Sequence, residues 1–329
     1  MEQYAGEWVS TYKAGIATKS YNTYVRHLRA LCNECGAKKL KDVVASDIQR
    51  VYNTRIGMSK SENSKLRLAV NGMFEAAVTD RLISFNPCAK VTMSPRKAGT
   101  HRAIEPFERA LIEQMAQTDH RLAAGAMVML YAGLRRGEAC AINIDRDIDF
   151  TAETITVNEA VRFEKNRPIV CDPKTEAGMR TIPLAAPLVA LLKDKHGLLI
   201  SAPNGAHISE TGFKGLWRSF LGNAGVLHNG GRRKRWVGKT KEDKAVIDQG
   251  GKVAPWAPVS IQPHDLRHSF CTMLYDLDVD LKTAMLWMGH ADQAMTLRIY
   301  THLSAKRENS STKKFRKGFG SQNGSQPPK

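Results

Sequence analysis

The sequence is poor in the features that mark several large protein classes. Six cysteines in 329 residues are too few and too scattered for a disulfide scaffold. Cys32 and Cys35 form one Cys-x-x-Cys pair, but a structural zinc site needs four Cys or His ligands and no second closely spaced pair exists. The pair reads as two residues on a helix face, with redox or metal chemistry as the alternative, and a reduced cytosol is the consistent compartment. The longest apolar stretches, 123–134 and 188–192, are short or broken by glycine, far below the roughly 20 residues a spanning helix needs. The opening residues have no basic head followed by an apolar run, so neither a signal peptide nor membrane residence is expected. Acidic residues are also scarce, 32 against 49 Lys and Arg, which leaves a formal net charge of +17.

What is present describes a folded chain with a polyanionic partner. With 42% hydrophobic and 25% charged residues the chain is neither collagen-like nor broadly disordered, and its length accommodates about two domains. The positive excess is unevenly placed. Residues 1–98 carry +8, residues 99–227 are neutral, 228–252 carry +5, 253–305 carry −2 and 306–329 carry +6. Separate basic blocks suit a polyanion gripped from several sides, because each cation set on a phosphate releases condensed counterions. Solvated faces and a solubility tail are the plain alternative.

Apolar spacing predicts helices over much of 2–85. Thr18 is expected to cap one that carries Tyr21, Tyr24, Leu28 and Leu31, and Ser46 to begin another with Ile48 and Val51. A long helix starting near Glu62 and carrying Leu66, Val70, Phe74 and Ala77 is expected to stop at Asn86-Pro87. The stretch 91–103 is basic and lacks apolar periodicity, so it reads as a linker between a domain of residues 1–90 and a larger one of 104–305. In the larger part, helical periodicity runs from Glu105 to about Ala132. Three short β-like runs follow at Ile155 and Val157, Ile169 and Val170, and 181–184, which predicts a small antiparallel sheet. Helices are expected at about 186–196 and 209–223, and again from His264 to near Leu303. Residues 228–258 read as a basic, glycine-bounded insertion and 306–329 as a basic, mobile tail.

Five places in the larger part carry chemistry-bearing residues: Arg135 in AGLRRGEAC, Lys174 in DPKTEAGMRTIPL, His264 and Arg267 in HDLRHSF, His290 in WMGHA, and Tyr300 in RIYTH. In this order the set resembles the tyrosine recombinases, the phage-integrase family, over the whole of 105–303. The region before it is more loosely similar to the family's helical core-binding domain. The resemblance implies a multidomain fold: an all-α, SAM-like core-binding domain, then a mainly α (α+β) catalytic domain with a small antiparallel sheet.

It also implies a reaction. Breaking a phosphodiester without a metal requires a nucleophile, neutralisation of a pentacoordinate phosphorane and a proton for the departing oxygen. Tyr300 is the expected nucleophile, forming a 3′-phosphotyrosine and freeing a 5′ hydroxyl, with no cofactor, metal or ATP. Arg135 and Arg267 would clamp the non-bridging oxygens, because a planar guanidinium makes paired charge-assisted hydrogen bonds. Arg136 competes with Arg135 by eye, but the family motif sets its arginine directly after Gly-Leu, with Glu138 as a supporting acid. His264 and Arg267, three apart, can share a helix face. His264 would serve as general base or as a donor to the phosphate, Lys174 would protonate the leaving 5′ oxygen, and His290 would hydrogen-bond a non-bridging oxygen. Pro-Lys-Thr is also ordinary turn composition. His268, four residues after His264, matches the family's Leu-Arg-His; alone, the pair is also a metal-ligand spacing.

The family closes around duplex DNA, which gives the charge map a use. Arg96, Lys97 and Arg102 in the linker, and Arg232, Arg233, Lys234 and Arg235 in the insertion, are the expected phosphate contacts. The implied partners are double-stranded DNA attachment sites, copies of the same chain in a tetramer, and a DNA-bending accessory protein or excisionase. The implied setting is the bacterial cytoplasm at the nucleoid, and the implied role is integration and excision of a mobile element. Related integrases often carry an arm-binding domain ahead of the core-binding one; here the helical pattern starts almost at residue 1, as in the two-domain kind or in a chain lacking that part. The rival readings are a type IB topoisomerase-like nicking and resealing enzyme, a non-catalytic DNA-binding relative, and a metallohydrolase on His264 and His268.

Overall fold

The computed structural model describes residues 1–89, 91–92, 102–173, 176–231, 248–249, 259–289, 296–297 and 300. The chain divides into two compact units, Met1–Thr100 and His101–Lys329.

The described part of the first unit is helical: α1 (Glu2–Tyr12), α2 (Thr18–Cys35), a 3-10 turn at Leu40–Asp42, α3 (Ala45–Asn53) and α4 (Lys60–Thr79). Each helix turns a three-four apolar stripe inward. Trp8 and Val9, Leu28 and Leu31, Ile48 and Val51, and Leu66, Val70 and Phe74 meet in one core. Three boundaries differ from the expectation. Thr18 is the first residue of α2, with Ala17 as its cap, and α3 starts before Ser46, with Asp47 accepting the N–H of Val44 at 3.1 Å. The third concerns α4, which begins where Ser59 accepts the N–H of Glu62 at 3.2 Å and ends well before Asn86-Pro87. Arg81 adopts φ 58° there, and Leu82 N–H closes the last turn on Ala77 O at 2.9 Å. Cys32 and Cys35 both lie on α2; burial pushes the Cys35 thiol up to about 11.

The second unit opens with α5 (Pro106–Met115) and α6 (Ala123–Tyr131), where the periodicity suggested a single helix. The break lies at 116–122. Thr118 Oγ1 donates to Met115 O at 2.7 Å, and His120 Nδ1 accepts the N–H of Leu122 at 3.2 Å, so side chains satisfy backbone groups that a continuous helix would use. Residues 123–130 of α6 are all buried, as befits a helix apolar on every side.

Two short helices, α7 (Arg136–Ala139) and α8 (Ile144–Asp147), lead to the strands β1 (Ile148–Asp149), β2 (Thr154–Val157), β3 (Ala160–Glu164), β4 (Arg167–Cys171) and β5 (Arg180–Pro183). These form two sheets, not one. The first has the order β1-β2-β5, all antiparallel, with Ile155 opposite Ile182 and Val157 opposite Arg180. Ile169 and Val170 belong instead to a β3–β4 hairpin, closed by Lys165 and Asn166 at φ 47° and 69°; two consecutive positive φ values match the strand twist of a two-residue turn. The helices α9 (Ala186–Leu192), α10 (Glu210–His228), α11 (Pro263–Asp276) and α12 (Leu281–Met288) follow. α9 stops short of 196, and α10 runs past 223 to Asn229, whose side-chain amide donates to Gly225 O at 2.7 Å. α11 packs on α6.

Gly133, just after α6, turns the chain toward the short helix α7. It has φ 64°, and a Cβ there would lie 2.2 Å from the Phe270 ring of α11. Gly133→Ala is therefore expected to cost about 2–4 kcal/mol, from left-handed strain plus overpacking, read as a lower urea midpoint at unchanged slope.

Candidate active site

The turn at Gly133 places Arg135 at the N-cap of α7 in extended conformation, φ −68° and ψ 154°. Glu138 stands at the third helical position, where a side chain can reach back to the helix start. Its Oε2 accepts the N–H of Arg135 at 2.8 Å, and its Oε1 accepts Arg135 Nη1 at 2.6 Å. Two more guanidiniums face the same carboxylate. Arg180 Nη2 donates to Oε2 at 2.8 Å, and Arg267 Nη1 lies 3.9 Å from that oxygen.

The same three arginines meet the C-terminal end of α12. Arg180 Nε donates to Trp287 O at 2.7 Å, Arg267 Nη2 donates to Met288 O, and Arg135 Nη2 donates to Gly289 O at 2.9 Å. Gly289 ends the helix in the left-handed region, φ 59°, as an αL cap requires. Arg267 also donates to Gly133 O at 2.6 Å. Three consecutive carbonyls thus take one guanidinium each, and all three guanidiniums surround one carboxylate.

Burial decides the electrostatics. Arg267 is 1% exposed and Glu138 3%, whereas the Arg135 side chain is 42% exposed. Desolvation alone would push the Glu138 carboxyl up; Arg180, Arg267 and Arg135 overcome it and hold it at about 2. Burial, with the neighbouring Arg135, lowers Arg267 to about 9 against the pull of Glu138, so it stays cationic at neutral pH. Arg135 thus presents a partly exposed cation backed by a buried one, an arrangement suited to a dianionic oxygen pair.

The other expected residues fall as follows. Arg136 turns away and stacks between Phe163 and Phe213, at 5.0 and 5.6 Å from the ring centres. His264 and His268 are both half-buried on α11, His264 in its first turn. Asp265, directly after His264, caps its own helix by accepting the N–H of Gln262 at 2.8 Å. The half-buried Tyr300 packs edge-on against Tyr275 at 5.1 Å between ring centres, and its hydroxyl donates to Val279 O at 3.2 Å. Burial first, then Cys271 and Asp280, raise its phenol to about 12. Arg102 is held by the protein itself: its guanidinium donates to both oxygens of the buried Glu108, at 2.5 and 2.6 Å, and to Ser260 O at 3.3 Å. Arg96, Lys97, Lys174, Arg232, Arg233, Lys234, Arg235 and His290 lie outside the described residues.

Arg180 was not singled out from sequence. The signal was there: two residues before Ile182 in a β-like run, it shares that residue's inward face, and a cation in an apolar register position must find a buried anion.

Residues 104–307 match the model of the phage integrase family. The chain is a member of that family. Among its relatives, a XerC-like tyrosine recombinase of Caldanaerobacter subterraneus is 25% identical over 311 residues, covering 88% of this chain and 73% of that protein. The ICEBs1 integrase of Bacillus subtilis is 22% identical, covering 90% and 78%. The integrase of transposon Tn1549, solved in complex with transposon right-end DNA, superposes with a TM-score of 0.70 at 19% identity, over 94% of this chain and 98% of that one. The mainly helical fold with small antiparallel sheets is therefore the integrase fold, and the family resemblance read from the six motif residues is borne out.

Within this integrase-family site the depressed Glu138 carboxyl ties stability to pH. A carboxylate lowered from 4.5 to about 2 stabilises the fold above its unfolded value, and that contribution is lost as pH falls toward about 2. Glu138→Gln, which strands buried cations, is expected to lose about 3–5 kcal/mol near neutrality. The gap to wild type in urea unfolding should narrow as the pH drops below the ordinary carboxylate range.

Proposed function

We propose that the chain is a site-specific DNA recombinase of a mobile element, cleaving and rejoining strands through a 3′-phosphotyrosine. The observation that carries this reading is the convergence of Arg135 and Arg267, distant in sequence, on one buried carboxylate in a chain of the phage integrase family. Its relatives, a XerC-like tyrosine recombinase and the ICEBs1 integrase, point the same way.

In this reading Tyr300 Oη attacks the phosphorus, the bond to the 5′ oxygen breaks, and Arg135 and Arg267 neutralise the non-bridging oxygens. With a phenol at about 12, Tyr300 needs a proton acceptor. His264 takes that proton and Lys174 donates one to the leaving 5′ oxygen, so charge balances without metal or ATP. His290 adds a hydrogen bond to a non-bridging oxygen, and Glu138 and His268 support the arginine and histidine positions. The Tyr300 hydroxyl must leave the Val279 carbonyl to reach phosphorus. The phosphotyrosine conserves the energy of the broken bond for attack by a 5′ hydroxyl from a partner strand, in a tetramer on two DNA sites. Residues 1–90 serve as the core-binding domain, 91–103 as linker and 104–305 as catalytic domain, with an accessory DNA-bending protein as a further partner.

A duplex nicked near the cleavage position traps the covalent intermediate. Wild type in chelator is expected to form a protein–DNA adduct that Tyr300→Phe does not; an adduct from the Phe variant would remove Tyr300 from the role. The basic insertion makes a separate claim. Neutralising Arg232, Arg233, Lys234 and Arg235 together should flatten the salt dependence of duplex binding by roughly 0.9 per lost phosphate contact. An unchanged slope would take these residues off the DNA.

A further inference from the structure

Arg180 has no counterpart among the motif residues, yet its side chain is as enclosed as that of Arg267, 0% against 2% exposed. It cannot meet DNA from that position. A side chain of similar volume and no charge, such as methionine, would fill the space on the inner face of β5 without the desolvation cost of a buried guanidinium. What methionine could not do is donate hydrogen bonds, and Arg180 donates three, to Glu138 Oε2, Gly178 O and Trp287 O. These tie together the start of β5, the anion behind Arg135 and the end of α12.

We propose that Arg180 is a positioning residue for strand cleavage, holding Arg135 and Arg267 in their phosphate-facing orientations through Glu138 and the end of α12. The proposal rests on the reading of Arg135 and Arg267 as the phosphate-gripping pair. The geometry shows how the effect is transmitted. Glu138 Oε2 has Arg180 at 2.8 Å and Arg267 at 3.9 Å. Without Arg180 that oxygen either draws Arg267 Nη1 off Gly133 O, to which it now donates at 2.6 Å, or takes up a proton. The first swings one arginine out of place; the second releases the other. Trp287 O also loses its donor, beside the two carbonyls on which Arg267 and Arg135 rest. Gly289 is fitted to the same guanidinium, since a Cβ there would come within 2.9 Å of Arg180 Nη1.

The test compares wild type, Arg180→Met, Arg180→Lys and Arg135→Ala on the nicked duplex with either an ordinary phosphodiester or a methylphosphonate at the cleavage position. A methylphosphonate has no anionic non-bridging oxygen, so correct placement of the arginine pair matters less to its cleavage. On the phosphodiester, Arg180→Met should form adduct at least ~10-fold more slowly than wild type, with Arg180→Lys between them. On the methylphosphonate the difference should shrink to about 3-fold or less, and duplex binding should stay within about 2-fold. Between roughly pH 7 and 5, where protonation of the His264 base slows every variant, the rate of Arg180→Met should fall more steeply than that of wild type, as Glu138, then facing only Arg135 and Arg267, begins to protonate. Equal losses on both substrates, a pH profile parallel to that of wild type, or no loss on the phosphodiester would overturn the proposal. So would failure of both Arg180 variants to bind duplex, which would make the residue part of the scaffold alone. A large loss for Arg135→Ala with none for Arg180→Met removes only the role of Arg180. Undiminished cleavage of the phosphodiester by Arg135→Ala would instead remove the arginine pair from the phosphate, and this inference with it.

Discussion

One buried carboxylate organises the second unit. Glu138 sits among three guanidiniums and the backbone N–H of Arg135, and the buried charges of that set balance one another. A lone carboxylate in such surroundings would be neutral, and a lone buried arginine would cost several kcal/mol. Together they hold α7, α11, β5 and the end of α12 in one arrangement, because each arginine comes from a different element and each also grips a backbone carbonyl. The chemistry proposed for the site uses two of those cations, so the forces that fold this unit and those that would bind a phosphate act through the same side chains.

Much of this was legible in the order of residues, and the part that was not has physical reasons. Arg135, Glu138 and Arg267 follow from short motifs because each is set by local geometry: a left-handed glycine, a helix start, a helix face. Choosing Arg135 over Arg136 from sequence needed a family pattern, whereas in three dimensions the two separate cleanly, one on Glu138 and the other between two aromatic rings. Arg180 stayed hidden because its partner lies on another element, and a strand's alternation says which face a residue takes but not what waits there. The same limit merged two sheets into one. Ile169 and Val170 have the composition of a sheet strand, yet the tight turn at Lys165 and Asn166 pairs them with β3 before β2 can be reached. Helix lengths erred where side chains compete for backbone groups, at Thr118 and His120 inside an apparent single helix and at Asn229 beyond the end of another.

The charge map takes on a second meaning beside this core. Residues 99–227 carry no net charge, although they hold Arg135 and Arg180. Fixed buried cations have to be balanced locally, so a site of this kind adds little to the total, and the surplus falls on other segments. Arg102, one of the expected phosphate contacts, is balanced in the same local way, its guanidinium matched to Glu108 and to Ser260 O.

The end of α12 bears on this question of sign. A helix C-terminus concentrates unpaired carbonyl oxygens and amounts to about half a negative charge, the wrong polarity to aim at a phosphate. Helices that receive phosphates ordinarily present the opposite end, where N–H groups point outward. Here each of the last three carbonyls is covered by an arginine, and the covering layer is cationic. The protein thereby turns the repulsive end of a helix into the footing of the proposed phosphate site.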